Sequence, residues 1–411
     1  MAKLSISEKL AILADAAKYD ASCASSGSTK RDSRGGASLG SNEGSGICHA
    51  YAPDGRCISL LKILMTNFCI YDCSYCINRV SSNVTRARFS VEEVVKLTIE
   101  FYRRNYIEGL FLSSGIIRSP DDTMADMVRI ARTLREQENF RGYIHLKTIP
   151  DAAPELIEEA GLLADRLSIN VELPTDASVK RHAPEKNPAQ IRRAMGEVRS
   201  RKDAARERTH TGRRAPKFAP AGQSTQVIVG ADGATDRTIL GQSTSLYSGY
   251  KLKRVYYSAF SPIPDANVKL PLIRPPLQRE HRLYQADWLL RFYGFDLNDI
   301  TGHRKDGNLD LEIDPKLAWA LAHRGLFPVD VNTAPRETLL RVPGFGTKTV
   351  GRILSTRRHR SLRYEDLTRM GALMKKARPF ITLTGWTPGA LTDTADLRAR
   401  FAPPPEQLSL F

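Results

Sequence analysis

The feature that most constrains the fold is a repeated alternation of short apolar runs and amphipathic segments between residues 56 and 293. The apolar runs lie at about Cys57–Thr66, Gly109–Ser114, Tyr143–Lys147, Arg166–Glu172, Gln226–Gly230 and Lys253–Phe260. Helices are predicted at about Ser90–Tyr106, Thr123–Glu138, Pro154–Ala160, Pro188–Arg208, Thr235–Tyr247 and Leu277–Tyr293. This alternation is typical of a parallel sheet covered by helices. Six units predict an α/β fold and are too few for a complete eight-unit barrel of the TIM type.

The composition narrows the class of protein. The chain has 411 residues, enough for two domains, and its hydrophobic content of 41% is ordinary for a globular protein. We find no long uncharged apolar run, and charges interrupt the first ten residues, so we expect a cytoplasmic protein without a membrane segment. The formal net charge of +16 indicates a polyanionic partner, with nucleic acid the first candidate.

Three cysteines follow the first predicted strand directly. Cys69, Cys73 and Cys76 are spaced by four and three residues, and Tyr75 precedes the last. Thiolates at this spacing can bind zinc, copper(I) or an iron–sulfur cluster. Zinc normally takes a fourth protein ligand, whereas three cysteines in a short loop suit a cubane cluster whose fourth iron is open to a substrate. A structural zinc knuckle, or three thiols without a shared role, is the alternative.

This spacing, with the aromatic residue before the third cysteine, resembles the signature of the radical S-adenosylmethionine (SAM) superfamily. The resemblance implies a [4Fe–4S] cluster held by the three cysteines, with SAM bound to the open iron. A one-electron reductant protein would reduce the cluster, and cleavage of SAM would give methionine and a 5′-deoxyadenosyl radical. Tyr75 is expected beside the cluster, near the adenine of SAM. The resemblance also implies the fold of the six units, a partial (βα)6 barrel of the TIM type.

The ends of the other strands supply the candidate contacts to SAM, because chemistry in such barrels lies at the carboxyl ends of the strands. The superfamily commonly has a Gly-Gly-Glu-like turn after the second strand, and Ser113, Ser114 and Gly115 occupy that position here. Asn170 and Glu172 end the fourth strand, where the ribose or the amino-acid part of SAM is expected. Further candidates are the apolar segment Val227–Gly230, which is similar to the superfamily's adenine contact, and His145 and Lys147 as inward-facing residues of the third strand. The alternative for each is an ordinary capped or solvated strand end.

Two segments outside this pattern are open to two interpretations. Residues 1–50 begin with a helix at about Ser5–Lys18 and continue as a flexible Gly/Ser-rich stretch. Cys23, Cys48, His49 and Cys57 lie in or after it. They are ligands of a second metal site, or the three cysteines are merely reduced thiols. The basic stretch from Arg192 to Lys217 is either a nucleic-acid contact or a solvated helix face.

Residues 331–354 resemble a helix-hairpin-helix DNA-binding motif, which predicts a small all-α unit. Gly344 and Gly346 permit a tight hairpin, so that backbone N–H groups at the start of the next helix, from Thr347 onward, face a phosphate. Lys348 and Arg352 supply positive charge. Further basic residues nearby are Arg357, Arg358 and Arg360, and a degenerate second copy of the motif is predicted at residues 364–372. A hairpin used only for protein contacts is the alternative.

The last five residues follow a proline-rich spacer. The segment Gln407–Phe411 is similar to the pentapeptide with which bacterial replication and repair proteins bind the β sliding clamp. The resemblance assigns clamp contacts to Gln407, Leu408, Leu410 and Phe411. The alternative is a tail that packs its apolar side chains on its own protein.

The whole arrangement resembles a bacterial family of radical SAM proteins assigned to DNA modification or repair. We therefore predict four segments: a helix and flexible stretch at 1–50, the barrel at 51–300, the hairpin unit at 301–385 and the tail at 386–411. The predicted function is cleavage of SAM to a radical that modifies or repairs DNA. The alternatives are an RNA-modifying radical SAM enzyme and a non-catalytic iron–sulfur adaptor that binds DNA and the sliding clamp.

Overall fold

The computed structural model describes residues 4–17, 46–51, 57–207, 216–263, 270–389 and 395–402. The chain divides into two compact units. The first comprises Met1–Ala234 and Ser245–Pro275, and the second comprises Thr235–Thr244 and Pro276–Phe411. Helix Leu277–Phe292, which the sequence pattern assigned to the barrel, therefore belongs to the second unit.

The first unit is built on a seven-stranded sheet whose strands follow one another in chain order. The strands are β1 Ile47–Tyr51, β2 Cys57–Leu64, β3 Gly109–Ser113, β4 Tyr143–Lys147, β5 Arg166–Ser168, β6 Gly222–Val229 and β7 Arg254–Ala259. Strands β2 to β7 pair in parallel, and β1 pairs antiparallel with β2. The α/β fold and the six parallel strands of a partial barrel are confirmed. Strand β1 was not predicted, because its five residues adjoin the Gly/Ser-rich stretch and mix polar with apolar side chains.

Among the described residues, six α-helices belong wholly to this unit: α1 Ile6–Ala17, α2 Val91–Arg103, α3 Pro120–Arg132, α4 Pro154–Leu163, α5 Asp176–His182 and α6 Pro188–Ala204. Helix α7 Asp236–Tyr250 is divided, because its residues up to Thr244 belong to the second unit. Local sequence explains where several begin: Ser90 and Glu93 form a capping box before α2, and Ser119 caps α3 with Pro120 in the first turn. Helix α5 was not predicted; the side chain of Thr175 caps it by accepting a hydrogen bond from the Ser178 N–H.

The predicted fourth strand is shorter than its apolar pattern indicated. Strand β5 ends at Ser168, although the backbone continues beside β6, with the Ile169 N–H donating to Ser224 O at 3.1 Å. Regular pairing stops because the chain turns toward Glu172, whose φ of +65° lies in the left-handed region. The departure from strand geometry therefore occurs at the residues that were predicted to contact a cofactor.

The second unit is mainly helical. Its helices are α8 Leu277–Phe292, α9 Leu297–Thr301, α10 Pro315–Ala322, α11 Arg336–Arg341, α12 Thr347–Thr356, α13 Tyr364–Arg369 and α14 Met374–Ala377. Strands β8 Val329–Asp330 and β9 Ile381–Thr382 form a parallel pair, so the unit is not purely α-helical. Its core includes two edge-to-face aromatic pairs. The ring centres of Trp319 and Phe295 are 5.4 Å apart, and those of Phe327 and Phe380 are 5.0 Å apart.

Some sequence predictions fall outside the described residues. Cys23 and the tail segment Gln407–Phe411 are among them. In the part of the chain that the structure describes, no helix is long and apolar enough to cross a membrane.

Candidate active site

A cavity lies at the carboxyl ends of the parallel strands, and most of the residues that were predicted to bind the cluster and SAM line it. About 1150 Å³ of space lies between its walls, part of it open to solvent. Of the predicted residues, the lining includes Cys69, Cys73, Cys76, Tyr75, Ser114, Gly115, Asn170 and Glu172. Ile228 of the predicted apolar segment and Lys147 line it as well.

Ser113 is placed differently from its two neighbours. It does not line the cavity; it is buried as the last residue of β3, and its carbonyl accepts a hydrogen bond from the Met65 N–H at 2.8 Å. His145 also lies away from the cavity, within the sheet interior, where its Nε2 is 2.5 Å from Ser168 Oγ. Burial keeps the pKa of His145 well below its usual value, so the ring is neutral.

The cysteine loop, residues 65–89, is held from within by one arginine. The guanidinium of Arg86 donates hydrogen bonds to four backbone carbonyls, those of Asn67, Asn78, Arg79 and Ser82. The Arg79 contact measures 2.6 Å and the Asn78 contact 2.9 Å. Because these carbonyls flank the cysteine motif on both sides, Arg86 fixes the path of the loop around it.

Close approach of two backbones explains why Gly115 follows β3. A Cβ atom at this position would lie 2.2 Å from Phe68 O, far inside van der Waals contact. The Gly115 N–H donates to Thr66 O at 2.8 Å, and the Ile70 N–H donates to Ile116 O at 2.8 Å. The turn after β3 is thus bonded directly to the start of the cysteine loop.

Helix α5 anchors the middle of the motif. The Ser74 N–H donates to His182 O at 2.7 Å, and Ser74 Oγ lies 3.0 Å from His182 Nδ1. On the other side, the Asp72 carboxylate accepts hydrogen bonds from Ser81 Oγ at 2.6 Å and from the Ser81 N–H at 3.2 Å. These contacts place the three cysteines on a rigid segment.

The three cysteine thiols differ in exposure. Cys73 is buried, and Cys69 and Cys76 are partly buried. Burial raises the pKa of Cys73 to about 12 and also raises the pKa of Cys76. Among the described residues, no three His, Cys, Asp or Glu side chains converge closely enough to surround a single metal ion. Thiolates that each bind a different iron of one cluster are distributed around that cluster.

A partly buried ion pair faces the cysteines. Lys186 Nζ lies 2.6 Å from Glu172 Oε1, and the ammonium group is 6.0 Å from the centre of the Tyr75 ring. Burial lowers the pKa of Lys186, but the charge of Glu172, with Tyr75 and Cys73 nearby, outweighs it and the net pKa is raised well above its usual value. Lys186 is therefore charged and places a cation beside the motif.

Four further polar side chains line the cavity: Tyr71, Asp151, Asn170 and Gln226. Tyr71 Oη donates to Asp151 Oδ2 at 3.4 Å, and burial together with the Asp151 charge raises the pKa of Tyr71 to about 12. Burial also raises the pKa of Asp151. On β6, Gln226 Oε1 accepts a hydrogen bond from Asn170 Nδ2 at 3.3 Å.

Several polar atoms around the cavity have no hydrogen-bond partner among the described residues. They are Tyr75 Oη, Asn78 Oδ1 and Asp151 Oδ1. Buried polar groups are nearly always paired, so such a group at a cavity wall indicates a missing ligand or water. The set contains a hydroxyl donor and two acceptors, which a ligand with both amino and hydroxyl groups would match.

Sequence reasoning missed four residues that shape this site: Arg86, Tyr71, Asp151 and Lys186. Asp151 follows β4 by four residues, so reading every strand end for acidic groups would have found it. Tyr71 lies inside the cysteine motif itself. Arg86 and Lys186 carry no such signal, because each reaches its partners from a loop whose path the sequence pattern does not specify.

The other described cysteines lie away from the cavity. Cys57 is exposed at the amino end of β2, opposite the end from which the cysteine loop departs. On β1, Cys48 pairs with Leu60 and packs with Ile58 and Phe111. A second metal site involving Cys23 stays a prediction.

In the second unit, the predicted hairpin residues lie between two helices. Gly344 joins α11 to α12 with a φ of +83°, and a Cβ atom there would lie 2.5 Å from Leu373 O. Gly346 is the N-cap of α12 and makes no side-chain capping bond, while Thr347 is the first helical residue. Lys348 is exposed, and Arg352, also exposed, donates to Met370 O at 3.0 Å.

Two neighbouring arginines make contacts within the second unit. Arg357 donates to Val331 O at 3.0 Å and to Ala334 O at 2.7 Å, which ties α12 to the chain before α11. Arg360 pairs with both carboxylate oxygens of Asp366 at 2.7 Å. At the predicted second copy, Gly371 has a φ of +85° and separates α13 from α14.

The family comparison agrees with the cysteine spacing. The model of the radical SAM superfamily matches residues 63–211, from the end of β2 to beyond α6. This segment is therefore a radical SAM superfamily domain. Members of the superfamily are enzymes that use a [4Fe–4S] cluster and SAM. The chain matches no curated protein.

Similar solved structures share little sequence with the chain. The [FeFe]-hydrogenase maturase HydG from Carboxydothermus hydrogenoformans is 15% identical, with a TM-score of 0.41 over 55% of this chain and 50% of its own. Methylornithine synthase (PylB) is 13% identical, with a TM-score of 0.43 over 75% and 84%. Coproporphyrinogen III oxidase (HemN) from Escherichia coli is 15% identical, with a TM-score of 0.35 over 56% and 52%. The chain thus spans about half the length of HydG.

Proposed function

We propose that this chain, whose residues 63–211 form a radical SAM domain, is an enzyme that modifies or repairs DNA by radical chemistry. The observation that carries the enzymatic part is the cavity in which three cysteines, the partly buried Lys186–Glu172 pair and polar atoms without a partner among the described residues meet. The DNA part is supported by the hairpin between α11 and α12 and by the net charge of +16.

The residues around the cavity fit the two cofactors. Cys69, Cys73 and Cys76 would hold the cluster, since soft thiolates are its usual ligands. The unpaired Tyr75 Oη and Asp151 Oδ1 would meet the polar groups of SAM. When bound and reduced, the cofactors supply a 5′-deoxyadenosyl radical, the hydrogen-abstracting group of this chemistry.

The side chains of the chain itself bind, orient and exclude water. Lys186, held by Glu172, presents an ammonium group suited to a carboxylate such as that of SAM. Ile116, Ile149 and Ile228 give the cavity an apolar lining, which limits the access of water to a reactive radical.

The DNA proposal depends on the start of α12. The first N–H groups of a helix have no partner within the helix, and no side chain caps this one. No acidic residue lies in its first turn, and Lys348 is exposed beside it. Such a helix end suits a phosphate, so the unit would bind the DNA backbone without reading the base sequence.

SAM cleavage tests the enzymatic part. The protein is reconstituted anaerobically with iron and sulfide, reduced with SAM present, and assayed for 5′-deoxyadenosine with and without duplex DNA. We expect cleavage that DNA stimulates and that Cys73→Ala abolishes, whereas Cys57→Ala at the far end of β2 leaves it unchanged. Stimulation by RNA instead of DNA would make RNA the substrate. A cluster and SAM that bind without cleavage on either polymer would indicate a non-catalytic adaptor.

Salt-dependent DNA binding tests the hairpin. Lys348→Glu should weaken duplex binding for all sequences alike and reduce the slope of log affinity against log salt by about 1. Lys305→Glu, an exposed lysine of the same unit, is the charge-matched control and should change binding much less. Equal effects of the two variants would contradict a hairpin site.

The remaining partners belong to the same proposal. A one-electron reductant protein would supply the electron for the cluster, and the β sliding clamp would bind Gln407–Phe411. Both fit a cytoplasmic enzyme that acts on replicating DNA.

A further inference from the structure

A second cavity of the first unit lies at the opposite end of the sheet from the cysteines. It opens where β6 begins and α6 ends, with about 490 Å³ of space between its walls, part of it open to solvent. Five cationic side chains and one carboxylate dominate its lining: Arg199, Lys202, Arg206, Lys251, Lys253 and Asp203. We call it the cationic cavity.

The single carboxylate does not balance these charges. Asp203 already contacts three of the cations: Lys251 at 3.1 Å, Arg199 at 3.6 Å and Arg206 at 3.7 Å. The rest of α6 is different, because its other basic residues pair outside the cavity, Arg192 with Asp176, Arg193 with Glu197 and Arg201 with Glu158. The excess of positive charge is therefore concentrated in the cavity.

Lys202 is the residue that most needs a ligand. Its Nζ is buried and has no hydrogen-bond partner among the described residues. It lies so close to Gly222 that a Cβ atom there would be 2.6 Å away. Burial, with Arg206, Lys253 and Arg166 nearby, lowers the pKa of Lys202 to about 8, so an anion bound here would relieve an unfavourable environment.

An acceptor accompanies these donors. Gln223 also lines the cavity; its Nε2 donates to Met195 O at 3.1 Å and to Tyr250 O at 2.9 Å, which fixes the amide orientation. Its Oε1 is then left buried without a partner. The ligand must accept hydrogen bonds from the cations and donate one to Gln223.

We propose that the cationic cavity binds a phosphate group that carries a proton, either inorganic phosphate or a terminal phosphate monoester. Lysines that approach from several directions suit a tetrahedral oxyanion better than a planar carboxylate, which a single arginine fork matches. Inorganic phosphate keeps a proton at neutral pH, and a terminal monoester, whose second pKa is about 6, keeps one in part of its population, whereas sulfate and an internal phosphodiester have none to donate.

Direct binding of radiolabelled inorganic phosphate to the full chain tests the site by equilibrium dialysis. Lys202→Met should weaken binding at least about tenfold, because it removes a charged hydrogen-bond donor. Lys253→Met is the second variant and should weaken binding in the same direction. Arg193→Met removes the same charge from the same helix outside the cavity and should leave binding unchanged.

The Lys202→Met protein should fold normally, because the change removes a buried ammonium group that lacks a partner. Its melting temperature without phosphate should equal or exceed that of the wild type. Equal phosphate affinity of Lys202→Met and the wild type would overturn the proposal. So would equally strong binding of sulfate, since sulfate cannot donate to Gln223.

Two oligonucleotides distinguish the sources of the phosphate. If the site takes the end of a nucleic-acid strand, a 5′-phosphorylated oligonucleotide binds more tightly than its 5′-hydroxyl counterpart, and Lys202→Met removes the difference. If the site takes free phosphate, the two oligonucleotides bind alike and inorganic phosphate binding is unaffected by either. Lys348→Glu, in the other unit, separates this site from the hairpin, because it should not alter binding of inorganic phosphate.

Discussion

Arg86 determines the path of the cysteine loop through backbone contacts alone. Its guanidinium donates to four carbonyls, and no other side chain type offers five donors in one rigid fork. Substitution would leave these carbonyls to find water or remain unpaired, and the loop would lose the geometry that presents Cys69 and Cys76.

Replacement of Arg86 tests this role. Arg86→Met should lower the free energy of unfolding by about 3 kcal/mol and reduce the iron and sulfide bound after reconstitution. Arg88→Met is the matched control, because Arg88 is exposed and pairs only at the surface, with Asp126 at 3.1 Å. Equal iron content in both variants would show that the loop does not depend on Arg86.

The Lys186–Glu172 pair allows a prediction about SAM. Lys186→Met removes the cation that pairs with the buried Glu172 carboxylate, so SAM affinity should fall at least about tenfold and stability by about 3 kcal/mol. The double variant with Glu172→Gln should recover most of the stability but not the affinity, because it removes the carboxylate charge without restoring the ammonium group.

Equilibrium dialysis with SAM measures the affinity, and urea unfolding measures the stability. Lys180→Met, at an exposed position of α5, should change neither quantity. Recovery of SAM affinity in the double variant would mean that Lys186 acts only on the fold.

At the scale of elements, the strands and helices of the barrel were largely predictable because their polar and apolar residues alternate with a clear period. Strand β5 shows where this reasoning ends. Residues 166–172 read as one apolar strand, yet the regular strand ends at Ser168, and beyond it β6 is met only by single contacts such as the bridge between Glu172 and Val227. The left-handed backbone at Glu172 is a local exception that hydrophobicity does not encode. The cysteine motif was predictable from spacing, but the contacts that position it come from Arg86 inside the loop and from residues farther along the chain, such as Ile116 and His182.

The hairpin between α11 and α12 is bonded to a buried lysine of α10 whose pKa is shifted. Lys316 on α10 is buried, its Nζ donates to Phe345 O at 2.6 Å, and burial lowers its pKa to about 7 in spite of Asp314. In the unfolded chain the pKa returns to about 10.4. Between these two values the unfolded chain binds more protons than the folded chain, so stability rises with pH across this window.

The expected slope is up to about 1.4 kcal/mol per pH unit between pH 7 and pH 10. Urea unfolding followed by tryptophan fluorescence measures it, and Trp288, Trp319 and Trp386 all lie in the second unit. Lys316→Met should flatten the slope, whereas Lys305→Met, at an exposed position, should retain it. An unchanged slope in Lys316→Met would refute the assignment to this lysine.

At the scale of the whole molecule, the sequence predicts more partners than the described residues can test. The fold class and the radical SAM domain were predictable because a dense local motif and a long periodic pattern carry them. The assignment of α8 to the barrel was not correct, because its amphipathic pattern does not specify which unit it packs on. The basic stretch from Arg192 to Lys217 was visible in the sequence, but the cationic cavity was not, since it also requires Gln223 of β6 and Lys251 and Lys253 before β7.

Removal of the last five residues tests the recruitment of the whole protein. Deletion of Gln407–Phe411 should abolish capture by an immobilised β sliding clamp, because the pentapeptide would supply the apolar contacts to its pocket. DNA binding and SAM cleavage by the deletion variant should equal those of the wild type. Undiminished capture would assign the tail another role.

The backbone conformation of Glu172 and its contact with Lys186 predict how this position should vary among related proteins. The position has a left-handed backbone that glycine or asparagine would adopt more easily, yet it carries a carboxylate bonded to Lys186. Selection for stability of the backbone alone would favour glycine there. A lineage in which the cavity lost its task should therefore drift toward glycine or asparagine at 172, together with loss of the lysine at 186. The pair thus marks, in any related gene, whether the chemistry is still under selection.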